Sequence, residues 1–174
     1  LGLGVKPTDK ADIKTPTIFD FAERPIALFV PSYNEESWIR DAYSRAMDRG
    51  VQAFEKVLWE VHRYRVKRLL KVLEDDWDLC MVWLDLADWM GHLYMGKSTL
   101  KMRKTYIELN RLASIVSERV KDTLIMIVSD HGMEPGGEHS SRAFYSFNRV
   151  ISWKPDKITD FYYFISSLLM NKRA

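Results

Sequence analysis

Hydrophobic residues along the chain fall into two alternating patterns. Short, nearly continuous apolar runs occur at Pro25 to Val30 ("PIALFV"), Leu79 to Leu86 ("LCMVWLDL") and Leu124 to Val128 ("LIMIV"), with a weaker run at Ala143 to Asn148 ("AFYSFN"). Each is the length of a strand. The first three lack polar alternation, which predicts strands covered on both faces. Between them the apolar positions recur at helical spacing. Phe54, Val57, Leu58, Val61, Leu69, Val72 and Leu73 share one stripe within a long segment from Glu36 to Asp75, which Gly50 is expected to divide into two helices. A further helix is predicted over Ser98 to Lys121, with Ser98 or Thr99 as its N-cap and Tyr106, Leu109, Leu112 and Val116 inward. A last one is predicted over Thr159 to Met170, burying Phe161, Phe164, Ile165 and Leu168. Strands alternating with helices predict an α/β fold: a mostly parallel sheet covered by helices on both faces.

Composition adds bounds to this picture. At 174 residues the chain is read as a single domain, 1–174, able to bury a real core. Its net charge of +2 favours no polyanion, so no nucleic-acid partner is predicted. The basic run from Arg63 to Lys71 reads as a solvated helix face. No apolar stretch is long enough for a membrane span, and the first residues lack the features of a signal peptide. The lone Cys80 excludes an internal disulfide and fits a reducing, cytoplasmic compartment. The single glutamine, Gln52, hints at a thermophilic source.

The chemistry concentrates where two of the apolar runs end. The second leads into "ADWMGHLYMG", with Asp88 and His92 four apart, and the third into "SDHGMEPGGEH", with Asp130, His131 and His139. Three of the four histidines in the chain therefore stand near a carboxylate at a predicted strand exit. In open α/β sheets, ligands gather beyond the carboxyl ends of strands. Imidazole and carboxylate together suit zinc or manganese. Gly91, Gly132, Gly136 and Gly137 are expected to let the backbone turn tightly around such a centre. The fourth histidine, His62, in "EVHRYRVKR", reads as a surface or packing residue. Trp83, Trp89 and Tyr94 read as core, with Trp89 or Tyr94 able to line a pocket, and Asp85 as structural or as support behind the ligands.

"SDHGM" after a strand, preceded by D-x-x-G-H and followed by G-x-H, resembles the alkaline phosphatase superfamily, in particular its type I phosphodiesterase/nucleotide pyrophosphatase branch. "TPTIFDFAERPIALFVP", Thr15 to Pro31, is similar to the helix and strand that follow the nucleophile region of that family. The resemblance implies a three-layer sandwich and a site for two divalent metal ions, zinc or manganese. It implies Asp88, His92 and His139 as ligands of one ion, and Asp130 and His131 as ligands of the other. The implied activity is metal-dependent hydrolysis of phosphate esters, chiefly phosphodiesters or nucleotide pyrophosphates, acting on a small phosphorylated substrate. The same superfamily includes cofactor-independent phosphoglycerate mutases, so a mutase-like phosphotransferase is an alternative. So is a non-catalytic α/β module with a vestigial metal.

The chain departs from the pattern at its start. The family begins with a strand that ends in a metal-binding Asp, followed by a Thr or Ser nucleophile. Asp9, Asp12, Thr15 and Thr17 are the residues of the right type here, and no apolar strand precedes them. The expectation is that the nucleophile lies upstream of Leu1, that the chain is the later part of a longer catalytic domain, and that it is inactive alone. The missing initiator Met agrees with this expectation. Three residues rather than two separate His92 from Gly96, a smaller departure from the phosphodiesterase branch.

Overall fold

The amphipathic segment around Gly50 forms two helices, α1 (Ser37–Met47) and α2 (Val51–Val72), and Gly50 caps the second with a φ of 94° that a side chain rarely tolerates. The structure, a computed structural model, describes residues 9–171. The remaining elements are β1 (Pro25–Leu28), β2 (Leu79–Val82), α3 (Leu86–Tyr94), α4 (Thr99–Arg119), β3 (Met126–Ser129), β4 (Gly132–Met133), β5 (His139–Ser140), β6 (Phe144–Phe147) and α5 (Asp160–Asn171), with two short 3₁₀ turns near the start. Ser98 caps α4 as expected, its hydroxyl accepting from the Lys101 amide.

The main core lies where α1, α2, α3 and α4 meet the β1–β2 pair. Ile39, Leu58, Val61, Leu86 and Met90 are almost wholly buried there. Each such side chain contributes about 1.5–3 kcal/mol by leaving water. A second, aromatic cluster joins β6 to α5: Trp153 stacks on Phe164 at 4.2 Å, and Phe161 packs edge-on against both Tyr145 and Trp153.

The sheet differs from the expected one. β1 and β2 do pair in parallel, but β3 pairs antiparallel with β6, and β4 antiparallel with β5. Among the described residues these are three separate two-stranded ladders, and a mostly parallel, doubly covered sheet is not what they form. The physical reason shows in the burial. All four β2 residues are only partly buried, and Ile127 and Val128 of β3 are 45% and 41% exposed, so these apolar runs are not sandwiched between helix layers. Continuous apolarity marks a strand but does not choose its partner or direction.

Smaller differences follow from helix phase. On α4 the inward residues are Met102, Thr105 and Leu112, while Tyr106 points outward. Thr105 can be buried because its hydroxyl donates to the Lys101 carbonyl at 3.0 Å. On α5 Leu169 is buried, and Leu168, expected inward, is exposed. β1 stops at Leu28 because Phe29 turns to a φ of 59° and drops its ring into the core. β2 stops at Val82, short of the predicted Leu86, which instead starts α3.

Candidate metal centre

Asp88 and His92 leave the protein from α3, not from a strand exit as the sequence suggested. Residues four apart share a helix face. Leu86 and Met90 anchor one face in the core, and Asp88 and His92 are carried on another, partly open to solvent. Asp130 and His131 do stand at the carboxyl end of a strand, directly after β3. The chain then runs through β4, reverses through Pro135 to Gly137 and returns along β5, where His139 pairs across the ladder with Met133. Residues from three parts of the sequence thus arrive at one place.

Ligand-type atoms of Asp88, His92 and His139 lie within 4.8 Å of one another. Asp88 Oδ1 is 3.5 Å from His92 Nε2 and 3.5 Å from His139 Nε2. The two Nε2 atoms are 3.1 Å apart. The three atoms form a nearly equilateral triangle. Ligands held about 2.0–2.1 Å from a tetrahedral ion stand about 3.3–3.4 Å from each other, so the donor set fits a zinc-sized cation. Asp88 Oδ1 is also buried and has no hydrogen-bond partner. A direct contact between the two imidazoles leaves that oxygen unpaired, whereas a shared cation does not.

The imidazoles are held ready for such a role. His92 Nδ1 donates to the Gly137 carbonyl at 2.6 Å, and His131 Nδ1 donates to the Gly132 carbonyl at 3.0 Å. A ring that donates through Nδ1 keeps the Nε2 lone pair free, which is how outer partners orient metal-binding histidines. Gly137 has a φ of 85°, and a Cβ built there lies 2.6 Å from the His92 carbonyl oxygen and 2.8 Å from its Cα. Glycine is required at that position by both conformation and contact. Gly91, expected at a turn, lies inside α3 instead, where its bare Cα lets Met133 approach: an added Cβ would meet the Met133 side chain at 2.9 Å.

Asp130 and His131 form the flank of the same cluster. His131 Nε2 is 3.7 Å from both Asp130 Oδ1 and Asp88 Oδ1, and its ring stacks on His139 with centroids 3.6 Å apart. Asp130 is the most exposed of the carboxylates and histidines gathered here, its side chain 57% accessible. All five residues singled out in the sequence therefore share one neighbourhood, with Asp88, His92 and His139 the tightest set.

His62 is buried at 2% exposure, 3.7 Å from Glu108, so it is a packing histidine. Burial holds its imidazole below the ordinary range, with the Glu108 carboxylate opposing. Asp85 lies in the core, bound to Tyr43 and Arg65. Trp89 packs between Phe54, Tyr43 and the His92 ring. The Tyr94 hydroxyl donates to Glu55 at 2.6 Å. Burial and that carboxylate push Tyr94 up to about 12. Thr17 donates its hydroxyl to Asp20 at 2.8 Å. Thr15 and Thr17 line an open groove of about 760 Å³ with Phe19, Tyr33 and Tyr162, and none of the five cluster residues takes part in it.

Two contributors escaped the sequence reading. One is the Gly137 carbonyl, which no side-chain pattern signals. The other is Arg65, wholly buried although it sits in the run read as a solvated basic face. Its neighbours on the helix did carry a signal, since Val61 and Leu69, one turn before and after it, are both inward residues.

An α/β chain that gathers three imidazoles and two carboxylates in one place has a candidate metal centre. Residues 7–155 match the type I phosphodiesterase / nucleotide pyrophosphatase family, and the chain belongs to it, in agreement with the resemblance of its motifs. Hydrolysis of phosphate esters, action on small phosphorylated substrates and a usual dependence on metal come with that family. No curated protein and no solved structure gives a significant match. Among the described residues no helix is long and apolar enough to cross a membrane.

Proposed function

We propose that Asp88, His92 and His139 hold one divalent cation, that Asp130 and His131 contribute to a second, and that the centre serves hydrolysis of phosphodiesters or nucleotide pyrophosphates. Zinc or manganese fits the donor set best, because imidazole and carboxylate are borderline ligands that both ions accept. The observation that carries the reading is the triangle of Asp88 Oδ1, His92 Nε2 and His139 Nε2, with edges of 3.1 to 3.5 Å, one corner of which is a buried carboxylate oxygen with no hydrogen-bond partner. Bound cations there supply positive charge that offsets the negative oxygens of a phosphoryl group, the main obstacle to nucleophilic attack on phosphorus. The protein's own part is orientation. The Gly137 and Gly132 carbonyls aim the imidazoles, the β4–β5 ladder delivers His139, and α3 holds Asp88 and His92 in register. The exposed Asp130 keeps the outer side of the cluster open to a substrate. The hydroxyl of Thr17 is engaged with Asp20, which supports a nucleophile other than Thr17. The unpaired thiol of Cys80 supports a reducing, cytoplasmic setting.

The test is metal binding followed by turnover. Competition against a chromophoric chelator should give one tight zinc site per chain, weakened at least tenfold by Asp88→Asn, His92→Ala or His139→Ala. His62→Ala should leave that affinity unchanged. Hydrolysis of a chromogenic phosphodiester by the complete catalytic domain should be abolished by chelator and restored by zinc or manganese. Absence of zinc binding by the intact cluster, or binding that survives loss of all three side chains, refutes the assignment.

A further inference from the structure

The N-terminus of α3 is held by a buried polar clamp. Asp85 occupies the position before the helix, and its carboxylate accepts from the Tyr43 hydroxyl of α1 at 3.1 and 3.2 Å. The Arg65 guanidinium of α2 pairs with Asp85 Oδ1 and lies over the Phe29 ring, 5.5 Å from its centroid. Arg65 is 0% exposed and Asp85 9%. Burial and the neighbouring Asp85 charge push the Tyr43 phenol far above its ordinary value, so its hydroxyl keeps the proton it donates. The Asp85 carbonyl in turn accepts from the Trp89 amide at 3.1 Å, in the first turn of the helix that carries Asp88 and His92.

Stability alone does not account for this clamp. Desolvating an arginine and a carboxylate opposes folding, and apolar residues of similar volume often serve as well or better. Arg65 meets Asp85 as an ion pair, and none of its three guanidinium nitrogens makes a hydrogen bond to a protein acceptor, which raises that cost. What the clamp does supply is direction. Ligand atoms on a helix stand about 5–6 Å from its axis, so a rotation of about 10° moves them by about 1 Å. Metal sites tolerate about 0.5 Å. The clamp ties the start of α3 to α1 and α2, and in the first turn the Trp89 ring packs against both Phe54 and His92.

We propose that Arg65 and Tyr43 are positioning residues, which by clamping Asp85 set the rotation of α3 that places Asp88 Oδ1 and His92 Nε2 beside His139 Nε2. The proposal rests on the reading of those three residues as a cation site. It separates two effects that an ordinary core contact would join, because metal affinity depends on the clamp while overall stability does not require it.

The experiment measures zinc affinity by chelator competition, the visible absorption of the cobalt(II) form, and thermal stability on the same samples. The variants are Tyr43→Phe, the volume-conserving pair Arg65→Met with Asp85→Leu, and Leu169→Ala on α5 as a buried control outside the core that holds the clamp. The paired variant should melt no lower than the wild type, bind zinc at least tenfold more weakly and show an altered cobalt spectrum. Tyr43→Phe, which removes one hydroxyl, should weaken zinc by about threefold or more. Leu169→Ala should lower the melting temperature and leave the zinc affinity of the folded protein unchanged. If the paired variant does not fold, Tyr43→Phe decides, since it keeps the ring and its packing. Wild-type zinc binding with unchanged affinity in folded Tyr43→Phe or in the folded pair overturns this inference alone. Failure of the wild type to bind zinc overturns the cation reading and this inference with it.

Discussion

Replacing Gly137 by alanine should disable the centre without touching a ligand. Gly137 has a φ of 85°, and an added Cβ would lie 2.6, 2.8 and 3.0 Å from the carbonyl oxygen, Cα and carbonyl carbon of His92. All three are backbone atoms of helix α3, so they cannot swing aside as a side-chain tip would. The left-handed backbone costs an alanine about 1–2 kcal/mol. Relief of the overlap adds about 1–3 kcal/mol. The exposed loop around Pro135 to Gly137 is the part able to move, and when it moves the Gly137 carbonyl leaves His92 Nδ1. Loss of such an outer partner typically weakens metal binding about 10- to 100-fold. Gly136→Ala is the matched control. Gly136 also has a positive φ, 106°, but an added Cβ meets nothing within 4 Å. It carries the backbone penalty without the collision. Zinc competition with a chromophoric chelator, read beside the melting temperature, should show Gly137→Ala at least tenfold weaker and Gly136→Ala within about threefold of the wild type. Equal affinities for the two variants would refute the argument that close approach to His92, rather than loop conformation in general, is what glycine provides.

His62 should make stability fall in mild acid. Its folded imidazole resists protonation because it is buried, whereas in the unfolded chain it takes a proton near the ordinary histidine value of about 6.5. A depressed folded value means stability present above about pH 6.5 is lost as pH falls; His62→Leu should flatten the drop in melting temperature between pH 7.5 and 5.5, and a profile parallel to the wild type would contradict this. Burial pushes the Cys80 thiol up to about 11. The native protein should therefore react slowly with an alkylating agent at pH 8 and quickly once denatured; equal rates would show that the thiol is not protected. Removal of metal by chelator should lower the melting temperature of the wild type and leave that of His139→Ala nearly unchanged, since a cation that binds only the folded state stabilises it in proportion to its affinity; identical shifts in both proteins would place the bound metal elsewhere.

Local chemistry made much of this protein legible in its sequence. Helix limits could be read because each depends on neighbours a few residues away: Gly50 divides α1 from α2, and Ser98 caps α4. The five ligand-type residues were readable because their spacing and order reproduce a family pattern. What periodicity could not supply was everything that needs a distant partner. The run from Leu79 to Leu86 reads as one strand, yet it breaks after Val82 because Asp85 is claimed by Tyr43 and Arg65, 42 positions away in the case of Tyr43. The same break puts Asp88 and His92 on a helix. The run around Met126 reads as a buried parallel strand, yet it pairs antiparallel with β6 and stays half open. Arg65 reads as a surface cation, yet it lies in the core because its one compensating carboxylate is brought there by another segment. An apolar run looks alike whichever strand it joins, and a charge is buried only where its partner arrives. Pairing and burial of this kind are long-range free-energy choices, decided by the assembled chain.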